Sequence, residues 1–242
     1  VYKQSVNFSI NNSDYITTVS ESLKNDTYKL FDIDKEISVI PNFIDFSKYE
    51  HITEPCERSF IAKNDEIIIT HISNFRPLKR VMDVLKIFNK LRHKLNVRLI
   101  MIGDGPDKEK ALKYVNKHRI SKNVVFLGNS NEIDKILCFT DLFLLPSEQE
   151  SFGLAALEAM VHKVPVVCSD AGGLSEVVEN SVSGFLCPVG DINGMAKRSF
   201  EILSDPVNHN KFKESAFKRA RSFDIKKILP KYISVYKKAI KL

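Results

Sequence analysis

From residue 67 onward the chain alternates between two kinds of segment. Short apolar runs rich in β-branched residues are followed by longer stretches whose apolar positions recur every three or four residues. "IIITHIS" (67–73) predicts a strand, and "VMDVLKIFNKLRHKL" (81–95) predicts a helix with Val81, Val84, Leu85, Phe88 and Leu91 on one face. "VRLIMIG" (97–103) predicts a strand, "KEKALKYVNKH" (108–118) a helix, "NVVFLG" (123–128) a strand and "NEIDKILCF" (131–139) a helix. The pattern closes with strands at 141–146, 164–169 and 183–188 and helices at 151–162 and 173–179.

Strands that are hydrophobic almost throughout, each followed by a helix, predict an α/β fold whose parallel sheet is covered on both faces. Right-handed crossovers make it a doubly wound, Rossmann-like sheet, with ligands expected at the carboxyl ends of the strands. The flanks break the rhythm. Residues 1–44 contain one strand-like run, "DYITTV", and one helix-like run, "SESLKNDTYKLF", before "ISVIPNFID". They are expected to be the end of a preceding domain, joined through Pro41-Asn42 to a nucleotide-binding domain over 45–222. Residues 223–242 carry a helical stripe of Ile225, Ile228, Leu229, Tyr232, Ile233, Tyr236 and Ile240, suited to returning toward the preceding domain. Pro230 within it is expected to kink the helix or start a new one.

Composition narrows the function classes. The net charge of +6 comes from the end of the chain, where residues 211–242 hold eleven Lys and Arg against two acids. The rest is slightly acidic, without the aromatic-basic interleaving of RNA-binding modules, so a nucleic-acid partner is excluded. A solvated helix face explains the cluster better than a membrane surface does. The cysteines Cys56, Cys138, Cys168 and Cys187 form no paired-spacing motif and read as reduced thiols, and no His or Cys cluster has metal-ligand spacing. Val1 is not followed by a signal pattern, and no apolar run reaches the ~20 residues of a membrane span, so a cytoplasmic setting is expected. A chain opening on Val reads as a piece of a longer protein.

Candidate chemistry gathers at one sheet edge. "SNFRPLKR" (73–80) follows the first strand of the domain with Arg76, Lys79 and Arg80; "GDGP" (103–106) and "DAGGLSE" (170–176) are glycine turns after later strands. In "LLPSEQESFGLAALEAM" (144–160), Glu150 and Glu158 stand eight positions apart. On one helix that spacing is ~12 Å, too wide for the ~5–9.5 Å of a glycosidase acid pair, yet suited to gripping two ends of an extended ligand. Cations, glycine turns and open helix amides on one edge suit a diphosphate flanked by sugars. The plain alternative is an amphipathic helix with surface glutamates.

The order "SNFRPLKR", "GDGP", "FLG", "DLFLLPSEQESFGLAALEAM", "VPVV", "AGG" and "GFLCPVGD", over about residues 14–222, resembles glycosyltransferase family 4. These are retaining enzymes of the two-domain GT-B fold. "HISNFRPLKRV" and "LLPSEQESFGL" are nearest to the branch that uses L-malate in bacillithiol biosynthesis.

The resemblance implies a nucleotide-sugar donor, UDP-N-acetylglucosamine, a small acceptor held mainly by the preceding domain, and no metal or other cofactor. It makes Glu150, Lys79 and Arg76 the catalytic positions. Glu150 would hold donor-sugar hydroxyls, assisted by the amides of Phe152 and Gly153 with Ser151 among the donor-binding residues, and Glu158 the ribose hydroxyls. Lys79, Arg76 and the amide of Leu154 would meet the diphosphate, with Asn74 and Gly103 beside it, while Gly128 and Asn129 would edge the uracil. Many family members carry Arg where this chain has Asn74, so Arg76 is the available guanidinium here, as in the malate-using branch. Lys163, before "VPVV", is expected in a left-handed conformation at a strain of ~1 kcal/mol. A non-hydrolysing UDP-sugar epimerase and a binding module without transfer activity stay open as alternatives. The chain alone is expected to bind donor without transferring sugar, and the edge of its first strand makes self-association an expectation.

Overall fold

The computed structural model describes residues 2–49, 58–63 and 65–240. The elements begin with α1 (Tyr2–Asn11), β1 (Ile16–Thr18), α2 (Glu21–Leu30) and β2 (Ile37–Val39). Next come β3 (Ile67–Ile72), α3 (Val81–Leu91), β4 (Val97–Ile102), α4 (Lys108–Lys117), β5 (Val124–Gly128) and α5 (Ile133–Leu137). The third group is β6 (Leu142–Leu145), α6 (Leu154–Val161), β7 (Val166–Ser169), α7 (Leu174–Val177) and β8 (Gly184–Cys187). Three helices end the chain: α8 (Ile192–Leu203), α9 (Pro206–Ala220) and α10 (Ile225–Ala239).

The six strands β3 to β8 form one sheet in the order β5-β4-β3-β6-β7-β8, with every neighbouring pair parallel. This is the doubly wound α/β sheet that the alternation predicts. The chain builds outward from β3 through β4 to β5, then returns to lay β6 on the other side of β3. The sheet's topological switch point therefore lies between β3 and β6.

Strand periodicity divides the core into layers. On one face Ile69, Leu99, Met101, Leu142, Leu144 and Val167 pack against Val84, Leu85 and Phe88 of α3 and Met195 of α8. Residues one step along those strands face the other way. Phe143, Leu145, Val166 and Cys168 meet α6 and α9, and Ile68, Ile100 and Ile102 meet Ile136 and Phe139. The apolar stripe of α3 is buried as expected, with Val81, Val84, Leu85, Phe88 and Leu91 at most 1% exposed.

Several expectations are corrected. The first 44 residues hold two strands and two helices rather than one of each, and β1 pairs in parallel with β2, Ile16 opposite Ile37. Helix α1 escapes sequence reading because it buries none of its residues and so carries no strong apolar stripe. Helix α10 runs through Pro230 without a fresh start. Cys138 is disulfide-bonded, so the reading of four reduced thiols fails; Cys168 and Cys187 are free and buried, and Cys56 falls outside the described residues.

Lys163 takes the expected left-handed conformation at φ 60°. The amide of Val164 closes the end of α6 on the Ala159 carbonyl at 3.0 Å.

Helix α10 returns beside β1 and β2. The Tyr232 hydroxyl donates to the Ile40 carbonyl at 3.3 Å and that of Tyr15 to the Lys238 carbonyl at 3.4 Å. Among the described residues no helix is long and apolar enough to cross a membrane.

Candidate functional site

A doubly wound sheet opens a crevice where strand order reverses, because the loops leaving the two adjacent strands turn to opposite faces. Here those loops follow β3 and β6, and they carry Lys79 and Glu150. In the first, a 3₁₀ turn over Pro77–Lys79 is bounded by Arg80, left-handed at φ 51°. Phe75, fully buried at φ 42°, stacks on the His71 ring and packs edge-on to Phe126, which fixes the loop from below.

His71 is itself fully buried. Its Nδ1 lies 2.8 Å from the Leu144 carbonyl, which can only accept, so Nδ1 carries the proton. Nε2 then accepts from the Ser73 hydroxyl at 2.8 Å, and Ser73 Oγ accepts from the Phe75 amide at 3.3 Å. One neutral imidazole thus ties β3 to β6 beneath Lys79. Burial, against the opposing pull of the Leu144 hydrogen bond and with help from the Lys79 charge, lowers its pKa from 6.5 to about 4.

Because the folded value lies below the unfolded one, the unfolded chain takes the proton first. The His71 contribution to stability is complete above pH 6.5 and lost as pH falls toward 4. The expected loss by pH 4 is about 3 kcal/mol. Urea denaturation of wild type and His71→Asn from pH 7 to 4.5 checks it: the variant's profile should be flatter, and parallel profiles would assign the acid sensitivity elsewhere.

The loop after β6 is held from three sides. Ser147, fully buried, donates its hydroxyl to Glu150 Oε1 at 2.9 Å, and the Ser169 hydroxyl donates to the Ser147 carbonyl. Lys79 Nζ reaches the same Glu150 Oε1 at 2.5 Å. From below, the turn between β7 and α7 presses its glycines against the loop backbone, and the Gly173 amide donates to the Glu150 carbonyl at 2.9 Å. A Cβ at Gly172 would stand 1.9 Å from the Glu150 carbonyl oxygen, and one at Gly173 2.5 Å from that of Ser151. Both positions require glycine for this close approach.

Beside this lies the turn after β4. The Gly103 amide donates to the Gly128 carbonyl at 2.7 Å, and a Cβ on Gly103 would meet the Ser73 carbonyl oxygen at 1.7 Å. The carboxyl ends of β3, β4 and β5 are thereby joined into one rim. Gly128, at φ 69°, has open space around it, and Asn129 after it is exposed.

Glu158 sits in different surroundings. It is half-buried on α6, and among the described residues its carboxylate has no hydrogen-bond or ion-pair partner. Burial, then the nearby Asp134 charge, raises its pKa. Next to it the Tyr49 phenol is pushed up to about 12 by burial and by Asp134, Glu158 and Asp45. His162 donates through Nδ1 to the Glu158 carbonyl at 2.9 Å, and Tyr49 packs edge-on against its ring.

The structure brings together Lys79, Glu150, Ser151 and the glycine turns that sequence placed on one edge. Arg76 occupies the N-cap position of the 3₁₀ turn without a side-chain capping bond and is exposed, as is Asn74. Arg80 is not available to a ligand in the same way, since it pairs with Asp83 at 2.6 Å and Glu148 at 3.6 Å. One expectation is corrected: α6 starts at Leu154, with Gly153 left-handed at φ 100° as its N-cap. Ser151 and Phe152 are therefore not in its first turn, and the rise-per-residue estimate of the Glu150–Glu158 separation applies only beyond Leu154. Phe152 is buried against Phe223, while Leu154 is 43% exposed at the mouth.

Sequence reasoning missed Ser147, His71 and a clamp from the chain's beginning. The Glu176 carboxylate accepts the amides of Glu21 and Ser22, both at 2.9 Å, and the Ser20 hydroxyl donates to the Ser151 carbonyl at 2.6 Å. The only signal for the clamp was Ser20 ahead of a helical run, which reads as an ordinary N-cap.

The glycosyl transferases group 1 family matches residues 55–219, a stretch that contains the whole six-stranded sheet. The N-acetyl-alpha-D-glucosaminyl L-malate synthase of Bacillus anthracis is 38% identical over 237 residues, covering 96% of this chain and 61% of its own length. The chain thus spans about three fifths of that relative. Among solved structures, a TarM mutant of Staphylococcus aureus in complex with fondaparinux, alpha-GlcNAc-glycerol and UDP is 25% identical, with a TM-score of 0.82 over 97% of this chain and 46% of that one. HepE of Anabaena in complex with UDP-glucose is 22% identical and shares the fold, with a TM-score of 0.88 over 97% of this chain and 67% of its own. The doubly wound sheet is that of GT-B glycosyltransferases, and with the family match covering residues 55–219, the chain belongs to the glycosyl transferases group 1 family.

Proposed function

We propose that this chain carries the donor-binding part of a retaining glycosyltransferase that transfers N-acetylglucosamine from UDP-N-acetylglucosamine to a small acceptor such as L-malate. The observation that carries this reading is the contrast between its two glutamates. Glu150 lies at the switch point against a cation, and Glu158 is half-buried without a protein partner among the described residues. A partly desolvated carboxylate is stabilised by hydroxyl donors, and a ribose supplies two. Between them, Lys79, Arg76 and the open amides of α6 offer positive potential for a diphosphate. The likeness to the Bacillus anthracis synthase supports the choice of sugar and acceptor.

In this reading the reaction needs no protein nucleophile. The cations and helix amides stabilise charge as it develops on the leaving diphosphate, which is where preorganised dipoles lower a barrier most. Glu150 orients the sugar, and the ribose grip of Glu158 fixes the distance between the two ends.

Calorimetry on Glu158→Ala tests the assignment. Both UDP and UDP-N-acetylglucosamine contain ribose, so both should weaken together, by roughly 5- to 100-fold for the loss of a half-buried hydrogen-bonding partner. If the sugar nucleotide weakens while UDP keeps its wild-type affinity, Glu158 does not hold the ribose.

A further inference from the structure

Glu150 does more than face a ligand: its Oε1 is already engaged twice within the protein. Lys79 Nζ stands 2.5 Å away with its side chain 18% exposed against 12% for Glu150, and the buried Ser147 hydroxyl donates to the same oxygen at 2.9 Å. The glycine turn after β7 fixes the backbone carbonyl of the same residue. The carboxylate is therefore held in place, its charge partly matched by Lys79, and among the described residues its second oxygen is left for another partner.

We propose that Glu150 is an electrostatic selector that favours an intact nucleotide sugar over the free nucleoside diphosphate. The proposal rests on the reading that Lys79 meets the diphosphate. A nucleotide sugar carries two negative charges on its diphosphate, and both phosphates are esterified. Once the sugar has left, the terminal phosphate gains a further ionisation with a pKa of about 6, so near neutral pH the product carries close to one more negative charge than the substrate. That charge sits on the phosphate that held the sugar, the side on which Glu150 stands.

The fixed carboxylate repels this additional charge and competes with it for Lys79. To the intact donor it offers an acceptor for neutral hydroxyls instead. The same residue thus holds the substrate and helps to expel the product, and its partial burial in the crevice, where solvent screens less, makes the effect larger than between exposed groups.

Glu150→Gln keeps the shape and the acceptor for Ser147 while removing the charge. Calorimetry at pH 7.5 and low salt should show UDP binding tightened by about tenfold, the scale of one half-buried charge interaction. UDP-N-acetylglucosamine should bind no tighter than to wild type, and uridine should change less than twofold. The gain for UDP should shrink when salt is raised and again near pH 5.5, where the terminal phosphate takes up its proton. Glu150→Ala should show the same tightening of UDP, so the result does not depend on one variant folding. UDP affinity unchanged or reduced in both variants, with wild type binding UDP normally, overturns the selector alone. A wild-type chain that binds neither UDP nor uridine overturns the proposed donor site, and the selector with it.

Discussion

Replacing Lys79 by alanine is expected to weaken UDP binding about a hundredfold and to leave uridine binding within twofold of wild type. Two losses act in the same direction. The diphosphate loses a charge-assisted hydrogen-bond donor, and Glu150, now without the ammonium 2.5 Å away, faces the phosphates with its charge unmatched. Arg76 is exposed and remains, so binding should not vanish. Adding Glu150→Gln to Lys79→Ala should recover about tenfold of the loss by removing the unmatched carboxylate. A chelator should not reproduce the effect in wild type. Equal losses for UDP and uridine would show that Lys79 supports the site's shape rather than a diphosphate, and a full loss on chelation would place a metal in the role given to Lys79.

The sheet was legible in the sequence because burial on both faces forces continuous apolar runs, and parallel strands need intervening helices. Element types from residue 67 to 188 follow the predicted order. Boundaries shifted where local backbone geometry decides them. The helix expected from residue 151 starts at Leu154 because Gly153 adopts a left-handed conformation that ends the loop. Helix α1 was not legible because it buries nothing. At Pro230 the helix forgoes one hydrogen bond yet continues without a fresh start, its flanks held by Tyr232 on Ile40 and Tyr15 on Lys238.

The site was legible as residue types and strand ends, and less so as pairings. Loops after β3 and β6 are 71 positions apart at Lys79 and Glu150, and only the strand order β4-β3-β6 brings them together. The resemblance assigned Lys79 to the diphosphate and Glu150 to the donor sugar, with no sign that Lys79 and Ser147 share an oxygen of Glu150. His71 read as one polar residue in an apolar strand. Its role as a neutral tie between β3 and β6 depends on the carbonyl of Leu144, which no side-chain pattern reports.

The glycine turn after β7 gives the largest expected effect on stability, and the chain contains its own control. Gly172 and Gly128 both have positive φ, 56° and 69°, so alanine at either should cost ~1 kcal/mol from backbone conformation alone. Around Gly128 a new Cβ finds open space, and for a chain of this size that cost lowers Tm by about 2–4 °C. At Gly172 the Cβ lands 1.9 Å from the Glu150 carbonyl oxygen and 3.0 Å from its carbon. These are backbone atoms, held further by the Gly173 amide, so no side chain can swing aside. The turn and the loop must separate, at a total of about 3 kcal/mol or more and a Tm fall of roughly 6–12 °C. The displacement moves Glu150 away from Ser147 and Lys79. Gly172→Ala should therefore weaken UDP-N-acetylglucosamine more than UDP, while Gly128→Ala should leave that ratio near its wild-type value. Thermal melts and calorimetry on the two variants make the comparison. Equal Tm shifts would mean that the turn yields freely, and that Glu150 owes its position to Ser147 and Lys79 without support from the backbone beneath it.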